Sequence, residues 1–164
     1  MVFLSLGTNI GNKEQNLLEA ISKINKQIGN VVSQSAFFAT SPWGFDSQNL
    51  FLNACVGVET PLSPSDLLDQ CQEIEKEMGR LQKSKRTTDA DGKETIVYHD
   101  RIIDIDILLY DDRIVQTRRL TIPHPLMHKR RFVLEPLAEI AYDVKIPGTE
   151  MSVREMLNEL AASE

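Results

Sequence analysis

The sequence predicts an α+β domain in which one mostly antiparallel sheet is backed by helices. Three observations support this class. Apolar strand-like runs and amphipathic helical patterns follow one another in the order strand–helix, two strands, helix, then further strands and helices. The length of 164 residues is that of a single domain, so we expect residues 1–164 to form one. A hydrophobic content of 41% is that of an ordinary globular protein with a buried core.

The first 60 residues supply three predicted strands and one helix. The apolar run Val2–Leu6 predicts an inner strand. A helix should follow and end at Gly29, because apolar residues recur at spacings of four, three and four at Leu17, Ile21, Ile24 and Ile28. Residues 31–40 and 53–60 read as strands, separated by a loop rich in Pro, Gly, Asp and Asn.

The second predicted helix has clear boundaries. Ser63 is suited to the N-cap, Pro64 to the first helical position and Asp66 to the acidic position of a capping box, while Gly79 should end the helix. A long polar stretch follows, with the turn signal "DADG" at residues 89–92.

The last third of the chain begins with a strand around "DIDILLY", at residues 104–110. We predict a short strand at residues 113–116 and one or two short helices within residues 121–141. A final helix should begin after Ser152, which forms a predicted capping box with Glu155.

Charge and cysteine content exclude several classes of protein. The net charge of −6 argues against a nucleic-acid-binding protein, which normally carries a basic excess. Cys55 and Cys71 form no disulfide framework or metal-binding motif by spacing, which favours a reducing compartment. No apolar run approaches membrane-spanning length, and the opening residues lack the pattern of a signal peptide. We therefore expect a cytoplasmic protein that binds neither nucleic acid nor membrane.

Two carboxylates interrupt the strand at residues 104–110. Residues two apart in a strand project from the same face, so Asp104 and Asp106 should point the same way while Ile105 and Ile107 enter the core. Two carboxylates about 6 Å apart repel each other by roughly 3 kcal/mol at an effective dielectric constant near 20. Protonation, arginines or a divalent cation would remove this cost, and Mg²⁺ prefers carboxylates together with substrate phosphates.

Basic residues are concentrated on both sides of this pair. Taken together they suit the counter-charges of a nucleotide, although each one alone is an ordinary surface residue. The ten residues are more than half of the chain's 18 Lys and Arg: Arg80, Lys83, Lys85, Arg86, Arg101, Arg118, Arg119, Lys129, Arg130 and Arg131.

Several interpretations stay open on the residues alone. The acidic pair could be salt-bridged on an exposed sheet face, or could belong to a D-x-D metal-dependent glycosyltransferase or a non-catalytic nucleotide-binding module. His124, in a loop held by prolines, suits hydrogen bonding to phosphate. Trp43 could stack on a flat ring or belong to a small core cluster.

The chain resembles the 6-hydroxymethyl-7,8-dihydropterin pyrophosphokinases along most of its length. The segments "SLGTNIGNKEQNL", "ATSPWGFDSQNLFLNACVGVET", "EKEMGR", "DRIIDIDILLY" and "RLTIPHPLMHKRRFVLEPLAEIA" carry the resemblance, in the same order and mostly at the same spacing. The resemblance implies a ferredoxin-like fold for a single pyrophosphokinase domain. It also implies transfer of the β,γ-pyrophosphoryl group of ATP to the pterin hydroxymethyl, leaving AMP, as a step of folate synthesis.

The resemblance also implies a role for individual residues. Asp104 and Asp106 match the pair that binds two Mg²⁺ ions, and Arg86 and Arg101 match arginines of the catalytic site. The pterin-binding positions are matched by Thr40, Pro42, Trp43, Phe51, Asn53 and Phe132. The ATP-binding positions are matched by Gln72, Glu75, Tyr98, Arg101, Ile107, Arg119, Thr121, His124 and Arg130.

The expected partners are ATP and 6-hydroxymethyl-7,8-dihydropterin, bound by a monomer. Asn53 has both a donor and an acceptor with which to bind the edge of the pterin ring. Two routes for activating the substrate hydroxyl stay open, namely Asp106 as general base or polarisation by the metal.

Overall fold

The computed structural model describes residues 1–40, 50–79, 84–88, 94–98 and 102–163, and for residues 84–88 and 94–98 it describes the backbone alone. The elements in chain order are β1 (Val2–Thr8), α1 (Lys13–Gln27), β2 (Asn30–Gln34), β3 (Phe38–Thr40), β4 (Phe51–Glu59), α2 (Pro64–Glu77), β5 (Ser84–Thr88), β6 (Glu94–Tyr98), β7 (Asp104–Tyr110), β8 (Val115–Gln116), β9 (Thr121–Ile122), α3 (Arg131–Ala141) and α4 (Val153–Ala162). A 3-10 turn, Met127–Lys129, precedes α3.

The main sheet has the strand order β2-β4-β1-β7, and every neighbouring pair is antiparallel. β3 also pairs with β4, beyond the end of β2. The sequence β1-α1-β2-β4-α2-β7 places the first strand between the third and the last strands of this core. This is the ferredoxin-like arrangement, so the predicted fold class is confirmed.

Helices cover both faces of the sheet. α1 and α2 pack on one face against a core that includes Leu4, Leu6, Val56 and Ile105. α3 and α4 cover part of the other face, where a second core forms around Phe3, Cys55, Leu108 and Leu134. On this second face β1, β4 and β7 also carry polar residues, which line a cavity beside the first turn of α3.

The predicted strand at residues 31–40 is two strands in the structure. β2 and β3 both pair with β4, and residues 35–37 lie between them. The Ser35 hydroxyl accepts a hydrogen bond from the Cys55 N–H at 2.9 Å and donates one to the Ala36 carbonyl at 2.8 Å. At the break, the Ser35 side chain therefore replaces a backbone acceptor for β4. The apolar pattern of the segment does not predict this break.

The predicted helix caps are present. The Ser63 hydroxyl accepts a hydrogen bond from the Asp66 N–H at 3.2 Å, with Pro64 in the first turn of α2. Ser152 and Glu155 form the expected capping box at the start of α4. Both helices thus begin where the sequence predicts, because their first N–H groups have side-chain acceptors.

The polar stretch after α2 contains a strand pair that was not predicted from the sequence. β5 and β6 pair antiparallel from Ser84↔Tyr98 to Thr88↔Glu94. Thr, Ile, Val and Tyr favour strands, but the charges of the segment obscure this preference. The turn signal at 89–92 lies outside the described residues, between the two paired strands.

In the described part of the chain, every helix is too short or too polar to cross a membrane. Cys55 and Cys71 are free and buried. Burial raises the pKa of the Cys55 thiol to about 12, against a smaller opposing effect of the Ser5 hydroxyl.

Candidate active site

A cavity of about 580 Å³ opens on the face of the sheet that α3 covers in part. Its floor comes from three neighbouring strands: β4 supplies Asn53, β1 supplies Ser5 and Gly7, and β7 supplies the two aspartates. The residues that line it are Ser5, Gly7, Thr40, Phe51, Asn53, Asp104, Asp106, Leu126, Lys129, Arg130 and Phe132. Sheet pairing, rather than a flexible loop, therefore positions the floor.

The strand register arranges the floor in rows. Asn53 pairs with Gly7, and Gly7 pairs with Asp104, so these three residues form one row across the sheet. Two strand spacings separate the ends of the row, or about 10 Å between the backbones of Asn53 and Asp104. An amide at one end and an acidic pair at the other are thus held at a separation set by the sheet.

Strand alternation directs the acidic pair into the cavity. Asp104 and Asp106 are half-buried and line the cavity, whereas Ile105 and Ile107 are buried in the core on the opposite face. The predicted orientation of the two aspartates is therefore confirmed.

The aspartates are suited to a hard divalent cation. Carboxylate oxygens are the ligands that Mg²⁺ prefers. Across the described residues, no group of three or more His, Cys, Asp and Glu is arranged to hold a metal ion. The pair would therefore supply part of a coordination shell, and phosphate or water oxygens would have to supply the rest. Lys129 and Arg130 line the same cavity and provide positive charge for an anionic ligand.

Asn53 is held in one orientation by its neighbours. It is 4% exposed, and its Nδ2 donates to the Thr40 Oγ1 at 2.8 Å and, at 3.5 Å, to the Phe38 carbonyl. The amide oxygen lies over Gly7, 3.1 Å from where a Cβ of that residue would be. The amide donors are thus directed at the protein, and Asn53 offers the cavity an acceptor rather than the donor and acceptor expected from its chemistry.

Aromatic side chains stand at the mouth of the cavity. Phe132, in the first turn of α3, is 38% exposed, and the Arg130 guanidinium lies 5.6 Å from its ring centroid. Phe51, at the start of β4, lines the cavity and is half-buried. A flat ring could stack here while its edge reaches Asn53.

His124 lies beside the cavity and lines a neighbouring groove. Its backbone N–H donates to the Leu108 carbonyl at 3.0 Å, and its Nδ1 accepts from the Leu126 N–H at 3.1 Å. Burial lowers the pKa of His124, the charge of Arg130 lowers it further, and the carboxylate of Asp106 opposes both effects. A neutral imidazole with Nδ1 as acceptor carries its proton on Nε2, so His124 can act as a hydrogen-bond donor there.

Four of the residues predicted to bind ATP do not line the cavity and lie on or near α2 and β9. Gln72 and Thr121 are exposed. Arg119 is exposed too, and its Nη2 lies 2.6 Å from the Asp69 Oδ1 on α2. Glu75 is 4% exposed and accepts a hydrogen bond from the Ile105 N–H at 3.0 Å.

Ile107, a fifth predicted ATP-binding residue, is buried in the core with 4% exposure. Of the remaining predicted residues, Pro42, Trp43 and Arg101 lie outside the described residues. Arg86 and Tyr98 lie on β5 and β6, where the backbone alone is described.

Three residues of the cavity, namely Ser5, Gly7 and Leu126, were not predicted as site residues, and Lys129 was predicted only as one of the ten basic residues suited to a nucleotide. Ser5 and Gly7 could have been found, because Val2, Leu4 and Leu6 alternate with them in β1 and are buried on the opposite face. Leu126 and Lys129 reach the cavity through the turn before α3, and no periodicity predicts that turn.

Comparisons with known proteins agree on one family. The sequence model of the 7,8-dihydro-6-hydroxymethylpterin-pyrophosphokinase (HPPK) family matches residues 3–142. The 2-amino-4-hydroxy-6-hydroxymethyldihydropteridine pyrophosphokinase of Porphyromonas gingivalis is 43% identical over 142 residues, which are 86% of this chain and 90% of the relative. The enzyme of the same name from Methylorubrum extorquens is 40% identical over 162 residues, covering 98% and 94% of the two chains.

Solved structures are similar in fold. The Plasmodium falciparum HPPK-DHPS with pteroate aligns with a TM-score of 0.75 at 16% identity, over 98% of this chain. This chain spans 42% of that longer protein, so the likeness bears on the fold of the matching part. The match to the family model and the identity to full-length relatives together show that the chain belongs to the 7,8-dihydro-6-hydroxymethylpterin-pyrophosphokinase family.

Proposed function

We propose that this protein transfers the β,γ-pyrophosphoryl group of ATP to the hydroxymethyl of 6-hydroxymethyl-7,8-dihydropterin, giving AMP and the pterin diphosphate in folate biosynthesis. The observation that carries the proposal is the row Asn53–Gly7–Asp104, which holds an amide acceptor and an acidic pair in one cavity. The family assignment supports the same reaction and does not favour a glycosyltransferase or a non-catalytic nucleotide-binding module.

The pterin would lie between Asn53 and the aromatic residues. A pterin is flat and carries N–H donors at its edge, which the Asn53 amide oxygen is free to accept because Thr40 and Phe38 occupy its donors. Phe132 and Phe51 provide the apolar surface for its faces. With its edge at Asn53, the ring extends over Gly7, and its hydroxymethyl reaches the end of the row at Asp104.

The phosphate chain would lie at the acidic end of the cavity. Asp104 and Asp106 would hold two Mg²⁺ ions together with ATP phosphate oxygens, and bound Mg²⁺ neutralises phosphate charge and polarises the phosphoryl group. Lys129 and Arg130 line the cavity, where they can add charge complementary to the phosphates. The protein contributes mainly positioning and electrostatic stabilisation, which is what phosphoryl-type transfer requires.

The remaining assignments stay predictions from the family resemblance. These are a catalytic role for Arg86 and Arg101, pterin contacts from Pro42 and Trp43, and ATP contacts from Gln72, Tyr98, Arg119, Thr121 and His124. A single domain over residues 1–164, a monomeric state and a cytoplasmic location also stay predictions.

Product analysis tests the proposed reaction. The protein is incubated with ATP, Mg²⁺ and 6-hydroxymethyl-7,8-dihydropterin, and the nucleotides and pterins are separated and quantified. We expect equal amounts of AMP and pterin diphosphate, with no ADP. Asp104→Asn and Asp106→Asn should each lose this activity, because the amide removes the charge that holds the cation while keeping the side-chain size.

The exposed Asp112→Asn is the matched control and should keep the activity of the unsubstituted protein. Formation of ADP, or no product that depends on the pterin, would contradict the proposal. ATP binding without turnover would then favour a nucleotide-binding module.

A further inference from the structure

A buried carboxylate lies behind the acidic pair. Glu75, on α2, is 4% exposed, and its Oε2 accepts a hydrogen bond from the Ile105 N–H at 3.0 Å. Ile105 is the residue between Asp104 and Asp106, and its own side chain is buried in the core. The contact therefore fixes the backbone at the midpoint of the acidic pair, through a helix that packs on the face of the sheet opposite the cavity.

The position of β7 in the sheet explains why this backbone group has a side-chain partner. β7 is the last strand in the order β2-β4-β1-β7, so the described part of the sheet has a neighbour on one side of it alone. The adjacent β1 pairs Leu6 with Ile105. An N–H group buried at such an edge requires an acceptor, because unpaired backbone groups are costly to bury. Glu75 supplies it.

The charges of Glu75 and Asp106 act on the same buried cysteine, Cys71. Burial raises the pKa of the Cys71 thiol, and the negative charges of Glu75 and Asp106 raise it further. One buried thiol therefore lies within electrostatic reach of both carboxylates.

We propose that Glu75 is a positioning residue, which acts through its hydrogen bond to the Ile105 N–H to hold Asp104 and Asp106 in the geometry that binds a divalent cation. The acceptor oxygen matters for this role and the negative charge does not. The role differs from the direct ATP contact that the family resemblance implies for this residue, and it rests on the proposed function of the acidic pair.

A change at Glu75 should act on both aspartates together. They are the residues on either side of Ile105, so a displacement of its peptide group moves both carboxylates. Removal of groups that orient metal ligands typically weakens metal binding by 10- to 100-fold. The effect should appear as a loss of cation affinity and as faster exchange of the Ile105 amide hydrogen.

The test compares Glu75→Gln, which keeps a carbonyl acceptor, with Glu75→Leu, which keeps the approximate volume without an acceptor. Mn²⁺ affinity is measured by electron paramagnetic resonance on the full chain with α,β-methylene-ATP. Exchange of the Ile105 amide is measured by NMR without metal or nucleotide. Glu73→Gln and Glu73→Leu, at an exposed position on the same helix, are the matched controls.

We expect Glu75→Leu to lose at least tenfold in Mn²⁺ affinity and to exchange the Ile105 amide at least tenfold faster. Glu75→Gln should stay within threefold of the unsubstituted protein in both measurements, as should both controls. Equal losses in the two Glu75 variants would overturn the proposal, because the charge would then be the required property. Full affinity in Glu75→Leu would overturn it as well.

Two further results keep the test decisive. If Glu75→Leu does not fold, Glu75→Gln decides alone, since a tenfold loss of affinity there contradicts a role that needs only the acceptor. If the unsubstituted protein binds no Mn²⁺ with the nucleotide, the proposed function fails and the positioning role fails with it. If the Ile105 amide still exchanges slowly in that case, its hydrogen bond to Glu75 has a structural role alone.

Discussion

Gly7 lies at the middle of the cavity floor, and the structure predicts the effect of adding one methyl group there. It pairs with Asn53 on one side and with Asp104 on the other, and it lines the cavity. A Cβ on Gly7 would be 3.1 Å from the Asn53 amide oxygen, so that oxygen would have to move by a few tenths of an ångström. Asn53 has little freedom to move, because Thr40 accepts from its Nδ2 at 2.8 Å.

The expected magnitude follows from the hydrogen bond at risk. If the pterin can no longer pair with the Asn53 oxygen, a buried polar group is left unsatisfied, at a cost of about 1–3 kcal/mol. Since 1.4 kcal/mol is a tenfold change in affinity, the pterin Kd of Gly7→Ala should rise by about 5- to 150-fold. The fold should change little, because alanine in a strand gains about 0.5–1 kcal/mol over glycine and so offsets part of the close contact.

The assay is pterin binding by isothermal titration calorimetry, with chemical denaturation as the measure of stability. A double-mutant cycle with Asn53→Ala separates the mechanism from general crowding of the cavity. In the Asn53→Ala background the close contact is gone, so Gly7→Ala should cost much less affinity than in the unsubstituted protein. A pterin Kd within twofold of normal for Gly7→Ala, or equal losses in both backgrounds, would show that the contact between Gly7 and the Asn53 oxygen does not control pterin binding.

Three further substitutions test other parts of the structure. Thr40→Val removes the hydroxyl that orients Asn53, so the free energy of unfolding measured in urea should fall by about 1–2 kcal/mol, and the pterin affinity should fall as well. An unchanged denaturation midpoint would mean that this hydrogen bond adds nothing to stability. The pKa of His124 is lower in the folded protein than its ordinary 6.5, so the unfolded chain binds the proton more readily. The stabilisation that comes from keeping His124 neutral is therefore complete above pH 6.5 and is lost as the pH falls below that value. His124→Asn should thus lose less stability between pH 7.5 and 5.5 than the unsubstituted protein. Parallel pH profiles of the two proteins would contradict this prediction. Ser152→Ala removes the acceptor of the Glu155 N–H at the start of α4 and should cost about 1 kcal/mol in the same denaturation assay, whereas no change would mean that the capping box adds nothing.

The parts of the fold that depend on local pattern were predictable from the sequence. The apolar spacing predicted the position of α1, and the N-cap residues predicted where α2 and α4 begin. A helix start is predictable because its first N–H groups need acceptors that lie close in sequence. The same holds for the orientation of Asp104 and Asp106, which follows from strand alternation alone. These features are set within a few residues of the chain.

Features that depend on distant partners were missed. The break between β2 and β3 depends on Ser35, whose hydroxyl is paired with a backbone group on β4. The orientation of the Asn53 amide depends on Thr40 in another strand, and the edge of β7 depends on Glu75 in α2. Each of these contacts joins residues more than ten positions apart, where sequence patterns carry no information on pairing.

A crystal structure with α,β-methylene-ATP, Mg²⁺ and 6-hydroxymethyl-7,8-dihydropterin would test most directly where the two substrates and the metal bind. We predict carboxylate oxygens of both Asp104 and Asp106 at about 2.0–2.1 Å from Mg²⁺. We also predict the pterin over Gly7, with its edge hydrogen-bonded to the Asn53 oxygen and its ring against Phe132. A metal held away from the two aspartates, or a pterin bound outside this cavity, would mean that one row of the sheet does not position both substrates.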